Sequence, residues 1–245
     1  MNLRRTLATT ERVLRQLRRD HRTIALVLIV PSFLMTIFRY VFDGQPETFD
    51  RVGGPLVGIF PLVIMFLITS IAMLRERTTG TLERLMSMPL AKLDLLVGYG
   101  IAFALVGAVQ AVLTATVSLT LLDLDVEGSV GLVIAVAVGN AVLGMALGLF
   151  LSAFAKTEFQ AVQFMPAVIL PQILLCGLLV PRERMADLLE WISWLLPMTY
   201  AYEALSRAVT ESDPGVELLA DVTVVAGATL IALALGAATL RRRTA

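Results

Sequence analysis

The chain has 245 residues, of which 57% are hydrophobic and only 16% charged, with a mean hydropathy of +0.81. Soluble domains sit nearer half apolar and a quarter charged, so a water-bathed globule is excluded and lipid is the solvent this composition calls for. The formal net charge is zero, and with one cysteine (Cys176) and one histidine (His21) the sequence lacks the parts for a disulfide, a Cys/His metal centre or a Ser/His/Asp triad.

The opening stretch carries Arg4, Arg5, Arg12, Arg15, Arg18, Arg19 and Arg22, with Leu3, Leu7, Leu14 and Leu17 at helical spacing among them. That pattern predicts a helix in the cytoplasmic membrane interface, leucines in lipid and arginines on anionic headgroups. A merely solvated basic leader is the blander alternative. The apolar run that follows is too long for the core of a cleavable signal peptide, so none is expected.

Six apolar stretches come next, at about 23–42, 53–74, 95–122, 129–155, 161–180 and 222–240. Each is near or above the ~20 residues a helix needs to cross the hydrocarbon core. Pro31, Pro61, Pro166 and Pro171 fall inside them and are expected to kink the spans they occupy. Gly144 and Gly148 form a small-residue step in the fourth span. Gly100, Ala104 and Ala108, and Gly107, Ala111 and Ala115, make two stripes on the third. Such stripes permit close helix approach, either within one chain or between subunits.

The loops set the orientation. Arg75, Arg77, Arg84 and Lys92, then Lys156, then Arg241, Arg242 and Arg243 fall on the same side as the basic opening helix. Only Arg51, Arg182, Arg184 and Arg207 fall opposite. This positive-inside asymmetry predicts both ends in the cytoplasm. The outer loops are acidic, with Asp43, Glu47 and Asp50 in one and Asp123, Asp125 and Glu127 in the next. The segment 181–215 reads as two short helices broken near Pro197. Its apolar stripe and its belt of Trp191, Trp194, Tyr200 and Tyr202 suggest a partly re-entrant outer cap. Arg39, near the outer end of the first span, is expected to snorkel outward and pair with Asp43.

What is missing narrows the chemistry. There is no GxxxxGK[ST] phosphate loop and no GxSxG or HExxH motif. The polar groups deep in the spans are the neutral Thr69, Ser70, Gln110, Asn140, Gln163 and Gln172. Ion-coupled carriers keep titratable groups near the midplane, so any pumping is expected to be driven from outside this polypeptide.

Between the second and third spans the chain reads RERTTGTLERLMSMPL, from Arg75 to Leu90. Residues 81–88 suit a short amphipathic helix, with Leu82, Leu85 and Met86 on one side, Glu83 and Arg84 on another, and Pro89 ending it. Such a helix, held between two spans, could pass a push from a docked partner to both; a solvated charged loop is the alternative.

Here the sequence resembles the permease subunits of type-2 ABC exporters, the group that includes daunorubicin-resistance permeases. The resemblance is carried by Glu76, Arg77, Gly80, Thr81, Leu82, Glu83, Leu85 and Pro89, with Arg84 among them. It is also carried by QFMPAVILPQILLCGLLVP in and after the fifth span and LLPMTYAYEAL from Leu195 to Leu205. It covers nearly the whole chain as one permease domain, residues 1–245. The short outer loops do not fit the mechanotransmission branch, with its large periplasmic domain. The fold expected is an all-α membrane protein: six transmembrane helices, an N-terminal interfacial helix, a cytoplasmic coupling helix at 75–90 and a short re-entrant outer helical segment.

The resemblance implies a division of labour. Two permease subunits, identical or different, face each other in a bacterial inner membrane. Separately encoded ATPase subunits bind ATP and Mg and grip the coupling helix. This chain is then no enzyme, holds no cofactor or metal and binds no nucleic acid. Its further partners are membrane lipids and a hydrophobic small molecule or lipid as cargo. The implied cavity lies between the second and fifth spans of the two subunits, with candidates Phe60, Met65, Phe66 and Thr69, and Phe164, Met165, Gln172 and Leu175. Ordinary helix packing is the competing reading of each. The low aromatic content, 7%, disfavours a polysaccharide path and favours an apolar or amphipathic cargo. The alternative function is a self-contained carrier or channel without an ATPase; a further one is a non-transporting sensor or assembly subunit.

Overall fold

The computed structural model describes residues 2–81, 84–85 and 92–239. It is helical throughout, with no strand among the described residues. In chain order the helices are α1 (Leu3–Arg19), α2 (His21–Val41), α3 (Pro46–Thr78), α4 (Lys92–Thr120), α5 (Val130–Leu151), α6 (Glu158–Phe164), α7 (Leu170–Leu175), α8 (Asp187–Ser193), α9 (Pro197–Thr210) and α10 (Gly215–Thr239). A π-helical turn, Met165–Ile169, joins α6 to α7, and a 3₁₀ turn, Arg182–Arg184, precedes α8. Six of these units are long and apolar enough to cross a membrane: α2, α3, α4, α5, the composite α6–α7 and α10.

The centre of the bundle is the contact of α3 with α5, and glycine makes it possible. A Cβ on Gly144 would stand 2.0 Å from the Leu62 carbonyl oxygen, and one on Gly148 would stand 2.4 Å from that of Phe66. The two backbones touch, so the GxxxG step serves packing within one chain. On α4 the stripe that packs is Gly107, Ala111 and Ala115. Gly107 meets Met65 and Ala141, and the two alanines are wholly buried. Gly100, on the other stripe, has open space around its Cα.

Prolines shape the spans unequally. Pro31 lies inside α2, and Pro55 and Pro61 lie inside α3. The fifth span is interrupted instead. Pro166 has no N–H to donate back along the helix, and the chain widens into a π turn closed by Leu170 N–H to the Met165 carbonyl. The outer segment forms the two expected helices, with Pro197 in the first turn of α9. α9 sinks between the spans. Val209 packs on Gly54, Leu205 on Gly58, and Asn140 Nδ2 of α5 donates to the Ala201 carbonyl at 3.0 Å. Arg207 then ties α9 to α10 through Asp221 (3.2 Å) and Glu217.

One expectation is corrected. Arg39 makes no ion pair with Asp43; its Nε donates to the Leu122 carbonyl at 3.1 Å and its guanidinium lies 5.6 Å from the centre of the Phe49 ring. α2 ends at Val41, so Asp43 lies in the turn beyond it and not one helical turn above Arg39, and the Leu122 carbonyl beyond the end of α4 accepts instead. The opening helix also commits one face to the bundle. Leu3 and Leu7 are exposed, whereas Thr6, Thr9, Thr10 and Val13 form the buried face. That face docks on α4, where a Cβ on Gly98 would stand 2.6 Å from Thr9 Cβ.

Candidate functional site

The end of α3 is a hub. Three successive residues, spaced about 100° apart around a helix, reach three different parts of the molecule. Arg75 donates through Nε and Nη2 to the two oxygens of Glu158, at 2.7 and 3.0 Å, at the start of α6. Glu76 points to α1, where Arg12 Nη1 and Gln16 Nε2 each lie 3.4 Å from its Oε1. Arg77 Nη2 donates to Thr239 Oγ1 at 3.5 Å, at the end of α10. Arg12 completes the group by donating to the Tyr99 hydroxyl of α4 and stacking over its ring.

The pairs differ in weight. Both side chains of the Arg75–Glu158 pair are more than half exposed, and such pairs add only about 0–1 kcal/mol. Glu76 is 8% exposed, so its partner on α1 matters more, because a buried carboxylate left alone is strongly unfavourable. Fixation of α1 continues at its start, where Asn2 N–H donates to Asp94 Oδ1 at 2.9 Å and Asn2 Oδ1 caps the helix. The Thr face is satisfied internally: Thr10 Oγ1 donates to the carbonyls of Thr6 and Gly98, both at 3.1 Å. Sequence reading missed Arg12, Asp94, Gly98 and Tyr99 as partners. The available signal was a threonine face at i, i+3 and i+4 opposite a glycine on a neighbouring span.

Beyond the hub, Thr79 Oγ1 bonds the Arg75 carbonyl at 2.7 Å and lies 3.0 Å from Thr81 Oγ1. Gly80 takes φ +71°, which a residue with a Cβ rarely adopts, so the chain breaks from α3 there. Arg84 N–H donates to the Gly80 carbonyl at 3.1 Å. Leu85 packs against the cluster formed by α1, α3, α4 and α5. Leu82, Glu83 and Pro89 lie outside the described residues.

The cavity candidates separate by burial. Met65, Phe66 and Thr69 have no exposed surface within the chain. Phe60 is half-buried beside Phe38, with ring centres 5.9 Å apart. Phe164 and Met165 are half-buried at the start of the π turn. Gln172 is buried, its Nε2 donating to the Val168 carbonyl at 3.0 Å and its Oε1 lacking a partner. Leu175 borders an apolar hollow with Pro171, Leu174 and Leu189. Little of the fifth span or of α2 is buried within the chain, and Phe159 and Ile29 are exposed.

The described residues form a helical bundle with six units long and apolar enough to cross a membrane, and the charged hub joins the ends of α3, α6 and α10 to α1 and α4. The family model for ABC-2 type transporters matches residues 4–209, and the chain belongs to that family. It is 23% identical over 164 residues to the probable multidrug ABC transporter permease YbhR of Escherichia coli, covering 67% of this chain and 44% of that protein. It is 26% identical over 187 residues to the E. coli inner membrane transport permease YhhJ, covering 76% and 49% respectively. It is also similar to ABC transporter G family member 20 of Dictyostelium discoideum, 28% identical over 164 residues, with 66% of this chain and 22% of that protein covered. The chain thus spans about half, or less, of the length of these relatives.

Proposed function

We propose that this chain is the membrane-spanning subunit of an ATP-driven exporter that moves hydrophobic or amphipathic molecules, drug-like or lipid, out of the cytoplasm or inner leaflet. ATP and Mg would be bound by a separate ABC ATPase, and a second permease subunit would complete the path. The observation that carries this reading is the hub at the end of α3. A partner gripping the segment around Gly80–Pro89 would load Arg75, Glu76 and Arg77 directly. Those residues are bonded to the fifth span, the opening helix and the sixth span. One movement at the foot of α3 would therefore reach most of the bundle. The proposed cargo path runs between the second and fifth spans of facing subunits. Phe60, Phe164, Met165 and Leu175, which keep exposed surface, would line it, and Met65, Phe66 and Thr69 would stiffen it from behind. Methionine and aromatic rings make an adaptable lining for apolar cargo. The bland alternative, a self-powered carrier, lacks a titratable group of the kind that couples ions at mid-membrane.

The proposed setting is the bacterial inner membrane with both ends cytoplasmic. Reporter fusions at Asp125 and Lys156 are expected to report opposite sides, Lys156 cytoplasmic; both on one side would remove this orientation. The deciding experiment is co-purification in detergent with the neighbouring ABC ATPase, followed by hydrolysis assays with hydrophobic compounds. Wild type is expected to form a complex whose hydrolysis responds to at least one compound. Glu83→Ala is expected to insert normally while losing at least about tenfold of that response, the scale of one charge-assisted hydrogen bond. Absence of any ATPase association by the folded wild-type chain would overturn the exporter reading.

A further inference from the structure

A groove of about 630 Å³ runs down the flank of the molecule between α1, α2, α3 and α4. That volume falls within the ~300–1,000 Å³ typical of small-molecule sites. Its wall changes character along its length. Near the α1–α2 corner it is lined by Gln16, Asp20, Thr23, Arg75, Glu76 and Thr79; deeper along the spans it is lined by Leu26, Val30, Ile64 and Ile68. From Glu76 back to Ile64, α3 covers about 18 Å. The groove is thus an amphipathic slot, polar at one end and apolar for the rest.

The polar end holds one acceptor that no donor among the described residues reaches. Arg75 is engaged by Glu158. Asp20 caps α2, accepting from Thr23 Oγ1 at 2.6 Å and Thr23 N–H at 3.1 Å, bonds that hold its carboxyl below the usual carboxylate range. Glu76 Oε1 faces Arg12 and Gln16, but Glu76 Oε2 is buried with no hydrogen-bond partner. A buried acceptor left unpaired costs about 1–3 kcal/mol. With Arg12 facing Glu76 and Arg75 paired to Glu158, the carboxylates of Asp20, Glu76 and Glu158 meet two guanidiniums at this end, so the charge balance favours a cation. An ammonium offers three donors to such a site. Leu26 and Ile29 of the adjoining α2 are more than 60% exposed, so the apolar surface continues outside the slot.

We infer that the groove is a binding site for an aminophospholipid of the surrounding leaflet, cytoplasmic in the orientation proposed above. Its primary ammonium sits at Glu76, its phosphate at the rim beside Arg75, and one acyl chain lies along Leu26, Val30, Ile64 and Ile68. The site is on the outer flank of one chain, apart from the path between facing subunits, and needs no ATPase.

Binding to the detergent-solubilised full chain, measured by native mass spectrometry, tests this directly. Dioleoyl phosphatidylethanolamine is expected to bind about tenfold more tightly than the phosphatidylcholine and phosphatidylglycerol of the same chains. The choline head carries charge without N–H donors, and the glycerol head carries neither the charge nor an ammonium. Glu76→Gln is expected to shrink the preference to within about twofold. Leu26→Trp, which fills the groove from an exposed position, is expected to weaken all three lipids and carries the test if Glu76→Gln does not fold. Equal binding of the three lipids to wild type, a preference that survives Glu76→Gln, or unchanged affinity in Leu26→Trp would each overturn the site. Dodecylamine binding as tightly as phosphatidylethanolamine would overturn its assignment to a phospholipid.

Discussion

Gly144→Leu is expected to yield no stably folded protein. The added Cβ alone would lie 2.0 Å from the Leu62 carbonyl oxygen, 2.7 Å from its carbon and 2.9 Å from its Cα, all backbone atoms that cannot rotate away. Ordinary overpacking of a core costs about 1–3 kcal/mol because side chains yield. Here a whole helix must move, and with it the α3–α5 contact around which the bundle is built, so the loss should exceed about 4 kcal/mol. Size-exclusion profiles and thermal melts in detergent read the result. Gly139, on the same helix, has nothing within 4 Å of a built Cβ. Gly139→Ala should therefore hold or slightly raise the melting temperature, since alanine is favoured over glycine in helices by up to ~1 kcal/mol. A folded, wild-type-like Gly144→Leu protein would refute the direct backbone contact of α3 and α5.

Arg182→Ala should be the next most damaging change. Arg182 and Glu203 form an ion pair whose side chains are only 10% and 17% exposed, and the guanidinium lies 4.0 Å from the Trp194 ring centre. Removing the arginine strands a buried carboxylate and strips the indole of its cation, a loss of about 3–5 kcal/mol. Replacing both members with apolar residues, as in Arg182→Met with Glu203→Leu, should recover most of it, because two desolvation penalties disappear together. Thermal melts of the two single variants and the double variant would show this as strong non-additivity. If the single and double variants lose stability additively, the pair does not hold the 3₁₀ turn at Arg182–Arg184 to α9.

Much of the architecture was legible because lipid simplifies the code. A span needs a long apolar run, and all six runs stand out from their loops. The expected 53–74 became Pro46–Thr78 and the expected 129–155 became Val130–Leu151; helix ends are set by local capping, to which hydropathy is blind. Pro197 marked the start of α9 for a reason intrinsic to proline. The docking face of α1 was hidden because threonine reads as neither apolar nor charged. Its hydroxyls return to carbonyls one turn back, which leaves methyl groups for packing against Gly98. Arg39 illustrates another limit: sequence spacing offered Asp43, while the tertiary fold brought a better acceptor from α4. At the hub, the sequence singled out Glu76 and Arg77 through family resemblance, yet nothing along the chain announced Glu158, Arg12 or Thr239 as their partners. The cargo-path candidates are legible only in outline, since a path between facing subunits is formed by two chains and one chain fixes only which side chains remain uncovered.

The three bonds at the foot of α3 have a mechanical meaning. Arg75, Glu76 and Arg77 leave the helix in three directions, and each is fastened to a separate neighbour. A mast stayed on three sides resists twisting about its own axis. A torque applied below it would therefore be shared with those three neighbours, and the backbone contact of Gly144 with Leu62 higher up would set where α3 pivots.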